Sequence, residues 1–306
     1  MMTEKLIILG AGPAGLSAAT YASREGFNPL VIGGYNPGGQ LLLTTKVDNY
    51  PGFPDGVDGP ELVSRMRKQA ERFGTRFTDE NADYVDLNSR PFTVKAGGKS
   101  FSAECIIIAT GANSKWLGIP SEQKFIGKGV SSCATCDGFF FKGKDVIVVG
   151  GGDTAMEDAT FLTRFANSVT IVHRKDTLKA SKAMQDRAMS NSKIKFIWDT
   201  AIEEIKGESS VSSVVLRNLK TGKTSEMNID GVFIAIGYAP NTAIFKDKLK
   251  LDEQGYIVAE DEIRTGIEGV FVAGDVADRV YRQAATAAGS GVKAALAARE
   301  YLQRLG

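Results

Sequence analysis

The sequence predicts an α/β protein of two Rossmann-like, doubly wound, three-layer nucleotide-binding domains, the second inserted in the first. Three observations predict it. A glycine fingerprint between an apolar run and a helix-like stretch stands at Gly10-Ala-Gly12-Pro-Ala-Gly15, and the same grammar returns about 140 residues later at Gly150-Gly-Gly152-Asp-Thr-Ala155. Glycine makes up 34 of 306 residues, well above the usual ~7%. The length suits two domains of about 150 residues each.

The elements follow in order. Lys5–Leu9 is a short apolar run of the kind that forms a buried parallel strand. After the fingerprint a helix runs to about Arg24, and Asn28–Ile32 reads as the second strand. Pro60–Phe73 reads as an amphipathic helix with Pro and Glu in its first turn. Three short strands precede another buried strand, Cys105–Ala109, which ends in Thr110-Gly111. The pattern then restarts with the strand Asp145–Val149, the second fingerprint, a helix to about Phe165 and the strand Ser168–Val172. Gly231–Gly237 and Gly269–Asp275 are further buried strands ending near glycine, and Tyr281–Leu305 is an Ala-rich helix. The spacing is too long for a solenoid repeat, whose period is about 20–50 residues. No low-complexity linker separates the halves. Short connections near 112–118 and 240–246 place the first domain at 1–114 and 245–306 and the inserted one at 115–244.

Composition excludes several classes. With 43% hydrophobic and 24% charged residues the chain is neither disordered nor fibrous. Its 37 basic and 36 acidic residues leave a net charge of +1, so no basic field argues for nucleic acid or an anionic membrane. Leu6–Ser23 is uncharged, but Gly10, Gly12, Pro13, Gly15, Ser17 and Thr20 make it a poor membrane helix, and Glu4 offsets Lys5 where a signal peptide needs a basic start. Three cysteines are too few for a disulfide scaffold and their odd number argues against a fully paired secreted protein, so a cytoplasmic, reducing setting is expected. One histidine and three cysteines cannot close a structural zinc site alone, and no metal is expected.

Each fingerprint has a physical logic. Gly10 permits the tight turn out of the strand, Gly12 lets backbone approach a pyrophosphate, and Gly15 lets helix and strand pack closely. Pro13, Ala14 and Gly15 open the helix, whose free N–H groups and partial positive charge face the phosphates. The acidic residue that usually follows the second strand is missing, since Ile32 is followed by Gly33-Gly34. In the second fingerprint Gly150, Gly152, Asp153, Thr154 and Ala155 occupy the same places, with alanine at the third position. Its second strand leads into His173-Arg174-Lys175-Asp176-Thr-Leu-Lys179. A positive cluster there suits a 2′-phosphate, hence NADP(H); a solvated basic face after an edge strand is the other reading.

Cys133-Ala-Thr-Cys136-Asp137 lies just upstream of the second fingerprint. A C-x-x-C pair closes a small disulfide ring and lowers the pKa of one thiol, and the thiolate is the attacking species in exchange. Asp137 is a candidate general acid, and Cys105 reads as a small buried hydrophobe. A nicotinamide gives up two electrons as hydride and a disulfide takes two through thiolate exchange. A flavin at the first site would join them, in the chain NADPH to FAD to Cys133–Cys136 to an external disulfide.

The whole chain resembles the low-molecular-weight thioredoxin reductases. The residues that carry the resemblance are the Gly10–Gly15 fingerprint, Gly38-Gly39-Gln40-Leu41, Asn49-Tyr-Pro-Gly52-Phe53-Pro54, Ala109-Thr110-Gly111, Cys133-Ala-Thr-Cys136-Asp137-Gly138, the second fingerprint, Gly274-Asp275 and Arg282-Gln283-Ala284. The resemblance implies an FAD domain formed by both chain ends, an inserted NADPH domain carrying the dithiol, a homodimer, and oxidised thioredoxin or a thioredoxin-like protein as substrate. It implies that Cys133 attacks the substrate disulfide, Cys136 faces the flavin and Asp137 serves as acid. Gly39, Gln40, Leu41, Asn49, Ala109, Thr110, Gly111, Gly274, Asp275, Arg282, Gln283 and Ala284 align with the flavin, and His173, Arg174, Lys175, Lys179, Ile236 and Gly237 with NADPH. In the family's basic pattern arginines stand where this chain has Lys175 and Lys179. That departure keeps open a related enzyme using NADH or ferredoxin, or another disulfide partner. Phe139-Phe-Phe141, beside the dithiol, reads either as core packing or as an apolar surface for the substrate protein.

Overall fold

The computed structural model describes residues 3–44 and 46–306. The chain divides into two compact units, residues 1–113 with 239–306 and residues 114–238, so the second is inserted in the first. Residues 239–244 belong with the first unit, where Asn241 donates its backbone N–H to the Gly111 carbonyl (2.9 Å) and accepts from the Thr110 hydroxyl through its own carbonyl (2.8 Å).

The first unit is built on a seven-stranded sheet. Its parallel part runs Arg76–Thr78, Leu30–Ile32, Thr3–Leu9, Lys99–Ile108 and Val270–Val272. The long strand Lys99–Ile108 divides its second edge. Its first half pairs antiparallel with Phe92–Ala96, which carries Ala82–Asp86 beyond it, and its last three residues pair with Val270–Val272. The apolar runs seen in the sequence are the central strands, since Leu6–Leu9 and Cys105–Ile108 are fully buried on both faces. Helices Pro13–Arg24 and Ala284–Leu305 cover one face around Leu16, Ala18, Ala294 and Ala298. Small residues let them approach closely: Gly291 admits no Cβ against the Ala14 carbonyl.

The second unit carries a five-stranded, wholly parallel sheet in the order Val130–Ser131, Gly231–Ile234, Asp145–Val149, Ser168–Val172, Ile194–Ile197. Helix Asp153–Leu162 packs on one face with Phe141 and Phe233. A three-stranded antiparallel sheet, Thr200–Gly207, Val211–Asn218 and Thr224–Asn228, covers the other through Ile202, Ile205, Val214 and Leu216.

Element ends differ from the sequence expectation where a local hydrogen bond outcompetes periodicity. The second strand begins at Leu30, because Asn28 is left-handed at φ 44°. The last helix begins at Ala284 instead of Tyr281. The Asp278 carboxylate accepts from the N–H groups of Val280 and Tyr281 (2.8 and 2.9 Å) and fixes an exposed loop before the helix. Gln283 caps the helix in a reciprocal box with Thr286. Among the described residues no helix is long and apolar enough to cross a membrane.

Candidate active site

The first unit gathers its candidate residues at the carboxyl ends of its parallel strands, the crevice where such folds bind ligands. Gly10 turns at φ 107°, and a side chain there would strike the Ala109 carbonyl. Its N–H donates to Ile32 O at 2.8 Å, which ties the turn to the second strand. Gly12 caps helix Pro13–Arg24 without a side-chain bond. A Cβ on Gly12 would meet nothing nearer than Gly38 O at 4.0 Å. The helix start therefore offers N–H groups into open space, a ready anion site. Gly39 opens the short 3₁₀ turn Gly39–Leu43, which carries Gln40 and Leu41.

Long-range polar bonds join these segments. Gln40 Nε2 donates to Asn113 Oδ1 (3.1 Å), Asn113 Nδ2 to Asn241 Oδ1 (3.1 Å), and Asn241 Nδ2 to Thr110 O (2.9 Å). Asn49 Nδ2 donates to Gln283 Oε1 (3.1 Å), and Arg282 turns left-handed at φ 48° just before the last helix. Gly274 lies against Ala14, so a side chain at 274 would strike the fingerprint helix. Next to it, Asp275 Oδ1 is buried with no hydrogen-bond partner. Burial first, then the Asp278 charge, pushes the Asp275 carboxyl up to about 7, against the pull of Arg282. Asn113 and Asn241 are the members that sequence reasoning missed, for no motif marks them.

In the second unit Gly152 caps helix Asp153–Leu162, again without a side-chain bond and with open space where a Cβ would stand. Ala155 is fully buried behind it, and a Cβ on Gly150 would meet the Ala155 methyl at 2.8 Å. Gly237 turns at φ 101° with Ile236 exposed beside it. The basic segment is stapled to the fingerprint. Lys179 and Ala180 donate their N–H groups to Gly151 O (2.7 and 3.1 Å), and Ser181 donates both N–H and hydroxyl to Asp153 Oδ1 (2.7 and 2.9 Å). Arg174, Lys175 and Lys179 are exposed. His173 does not share that face. It is buried under Gly151, its Nε2 pairs with Thr177 O at 3.1 Å, and burial together with the Arg174 and Lys175 charges holds its pKa below the usual value. The ring is thus a neutral prop for the loop.

Cys133 and Cys136 form a disulfide with Cα atoms 5.3 Å apart. Cys133 caps the one-turn helix Ala134–Asp137, and its Sγ accepts the Cys136 N–H at 3.2 Å. That donor favours the thiolate on Cys133 after reduction. The Ser131 hydroxyl accepts the Cys133 N–H at 3.0 Å and also bonds the Asp137 carboxyl. Burial raises the Asp137 pKa and outweighs the opposing Ser131 bond, which moves the group toward the range of a general acid. Gly138 packs the dithiol turn onto Leu162 and Phe161 of the fingerprint helix, leaving a Cβ only 3.1 Å from Leu162 Cδ2. Phe139 and Phe140 are exposed, 65% and 41%, while Phe141 is buried edge-on against Phe233. The triplet is divided: Phe141 is core packing, while Phe139 and Phe140 leave an exposed apolar surface beside the pair. Cys105 is fully buried and burial pushes its thiol up, so it is inert.

Residues 4–291 match the family described as pyridine nucleotide-disulphide oxidoreductase. The chain is 52% identical to a thioredoxin reductase of Rickettsia conorii over 308 residues, 99% of each chain. The chain belongs to the thioredoxin reductases. This oxidoreductase is also 52% identical to the thioredoxin reductase of Streptomyces coelicolor, covering 99% of its own length and 95% of the relative. Among solved structures it is similar to thioredoxin reductase from Streptococcus pyogenes, with a TM-score of 0.94, 42% identity and 98% of both chains covered. It is equally similar to the one from Giardia duodenalis, at TM-score 0.95 and 42% identity over 99% and 100%. The oxidoreductase is accordingly a flavoprotein disulfide reductase working with a pyridine nucleotide.

The first unit fits a flavin nucleotide on its own geometry. The orphaned Asp275 Oδ1 is an acceptor in want of a hydroxyl donor, and the open space at Gly12 leaves room for a phosphate at the helix start. One consequence is a pH dependence. In the flavin-free chain the folded-state pKa of Asp275 lies above its unfolded value, so its contribution to stability is whole below pH ~4 and lost as pH rises to about 7. The linkage slope puts that loss on the order of 4 kcal/mol. Asp275→Asn should flatten the pH profile of flavin-free stability across this window, as read by urea unfolding. An unchanged slope would disprove the raised pKa.

Proposed function

We propose that this enzyme reduces oxidised thioredoxin with electrons from NADPH, with FAD in the first unit and Cys133–Cys136 as the exchanging disulfide. The observation that carries the reading is the half-exposed disulfide at the start of a one-turn helix, packed on the helix of the second phosphate turn. FAD would be held by the Gly10–Gly15 turn at its pyrophosphate and by Asp275 at a hydroxyl, with Gln40, Asn49 and the 282–284 segment in the same unit. A bound FAD supplies the two-electron relay between nicotinamide and disulfide.

The chain's own residues do the rest. In the reduced pair, the Cys133 thiolate attacks one sulfur of the thioredoxin disulfide, forming a mixed disulfide and expelling the other sulfur as a thiolate. Asp137 is positioned to donate the proton that this thiolate takes up. The Cys136 thiolate then attacks Cys133 Sγ, which closes the Cys133–Cys136 disulfide again and releases the second thioredoxin sulfur. One dithiol and one disulfide go in and the same come out exchanged, so two electrons and two protons pass to thioredoxin. The exposed Phe139 and Phe140 offer the substrate protein an apolar contact beside the pair. Exposed Arg174, Lys175 and Lys179 favour a 2′-phosphate and hence NADPH. Family likeness supports a homodimer, which sedimentation of the flavin-loaded protein would test.

Lysines in place of arginines favour one second reading, a different donor such as NADH or ferredoxin, because Lys lacks the bidentate fork. Anaerobic mixing with NADPH and with NADH, followed by addition of oxidised thioredoxin, separates the two. The expected result is flavin bleaching by NADPH at the higher kcat/KM, followed by formation of two thioredoxin thiols. Failure of both nicotinamides to bleach the flavin would sink the reading.

A further inference from the structure

The loop after the strand Ser168–Val172 contains an acid among its cations, Asp176. An exposed carboxylate after the second strand of a dinucleotide fold is the feature that suits a free 2′-hydroxyl and opposes a 2′-phosphate. Here that acid is engaged by a residue from another sheet. Lys220 Nζ lies 2.8 Å from Asp176 Oδ2 and 3.0 Å from Asp199 Oδ2.

Lys220 is held in place to do this. It sits on the turn between the strands Val211–Asn218 and Thr224–Asn228. Asn218 Oδ1 accepts the N–H groups of Lys220 (3.1 Å) and Thr221 (2.9 Å), and Gly222 closes the turn at φ 72° with its N–H on Asn218 O. The turn is moored to the basic loop through Asp199. Leu219 N–H donates to Asp199 O (2.6 Å), and Asp199 N–H donates to Lys175 O (3.3 Å). Pairing with Lys220 lowers the Asp176 pKa and raises that of Lys220, so both stay charged at neutral pH. Lys220 and Asp176 are both well exposed, and such pairs add little to stability. The consequence lies in the local field: Lys220 offsets one of the two acidic charges, so the exposed cations Arg174, Lys175 and Lys179 outnumber the single negative charge that remains.

We propose that Lys220 is a specificity-determining residue of this oxidoreductase. By pairing with the Asp176 and Asp199 carboxylates it adds to the positive charge around the loop after the second strand, and so strengthens the preference for a 2′-phosphorylated nucleotide. The proposal rests on the reading of that loop as the 2′-phosphate site. Lys220 acts through the two acids and is a positioning residue.

Its test is binding without turnover. Calorimetric titration of the flavin-loaded protein with 2′,5′-ADP and with 5′-AMP compares wild type, Lys220→Met, Lys220→Arg and the double variant Lys220→Met with Asp176→Asn. Removing one unit charge at this range should weaken 2′,5′-ADP about 3–10-fold, less at high salt, and change 5′-AMP by under about 2-fold. Lys220→Arg should keep the preference, and the double variant should recover at least half of the logarithmic loss. Equal weakening of both probes, no weakening, or no recovery in the double variant would overturn the role of Lys220. If wild type binds 2′,5′-ADP no tighter than 5′-AMP, the 2′-phosphate reading itself falls, and the proposal with it. If wild type prefers 2′,5′-ADP and Lys220→Met keeps that preference, only the proposal falls.

Discussion

Cys136→Ser is expected to lower thioredoxin reduction by about 10³-fold or more, the scale seen when a covalent catalyst loses an essential nucleophile. The flavin should stay bound and should still be bleached by NADPH. A hydroxyl cannot close the disulfide, so no resolving attack on Cys133 Sγ occurs. The backbone N–H of residue 136 survives the substitution and still donates to Cys133 Sγ. Cys133 is therefore left as an activated lone thiolate, and the variant should accumulate a covalent mixed disulfide with thioredoxin. Cys133→Ser should lose the same turnover without that trap. Intact mass under non-reducing conditions distinguishes them. Wild-type turnover in Cys136→Ser, or an equal trap in both variants, would refute the assignment of roles.

Gly15→Val and Gly12→Val should separate folding from flavin binding. At Gly15 a Cβ falls on the Gly10 carbonyl, and Gly10 cannot retreat because its own N–H is bonded to Ile32 O at 2.8 Å. Overpacking against fixed backbone costs ~3 kcal/mol or more, enough to threaten a protein of ordinary stability. Gly12 has an ordinary negative φ of −79° and open space around it. Its valine should fold with a flavin-free melting temperature close to wild type, yet bind FAD at least about 10-fold more weakly, since the side chain occupies the phosphate cradle. Fluorescence titration with FAD and thermal melts of both variants read this out. Normal flavin affinity in Gly12→Val would remove the phosphate role of the turn.

Much of this was legible along the chain. Both glycine turns combine a continuous apolar run, glycines at set spacing and a helix, and all of that is local. The exchanging pair was legible too, because two thiols three residues apart are joined by one helical turn. Element ends were less so. The last helix starts after the Asp278 loop, where a side chain bonded to three N–H groups outweighs an Ala-rich run that could have begun earlier.

The sequence by itself determined the class of fold, the two glycine turns before their helices and the cysteine pair, because each rests on contacts within a few dozen residues. Tertiary structure alone decided what closes around them. Asn113 and Asn241 meet across 128 positions, Asp176 meets Lys220 across 44, and the His173 ring goes beneath Gly151 while its neighbours stay exposed. Such pairings depend on which strands the sheets place side by side. Short-range periodicity reports the hydrogen bonding of one segment and carries no term for a partner brought near only when the sheet is complete.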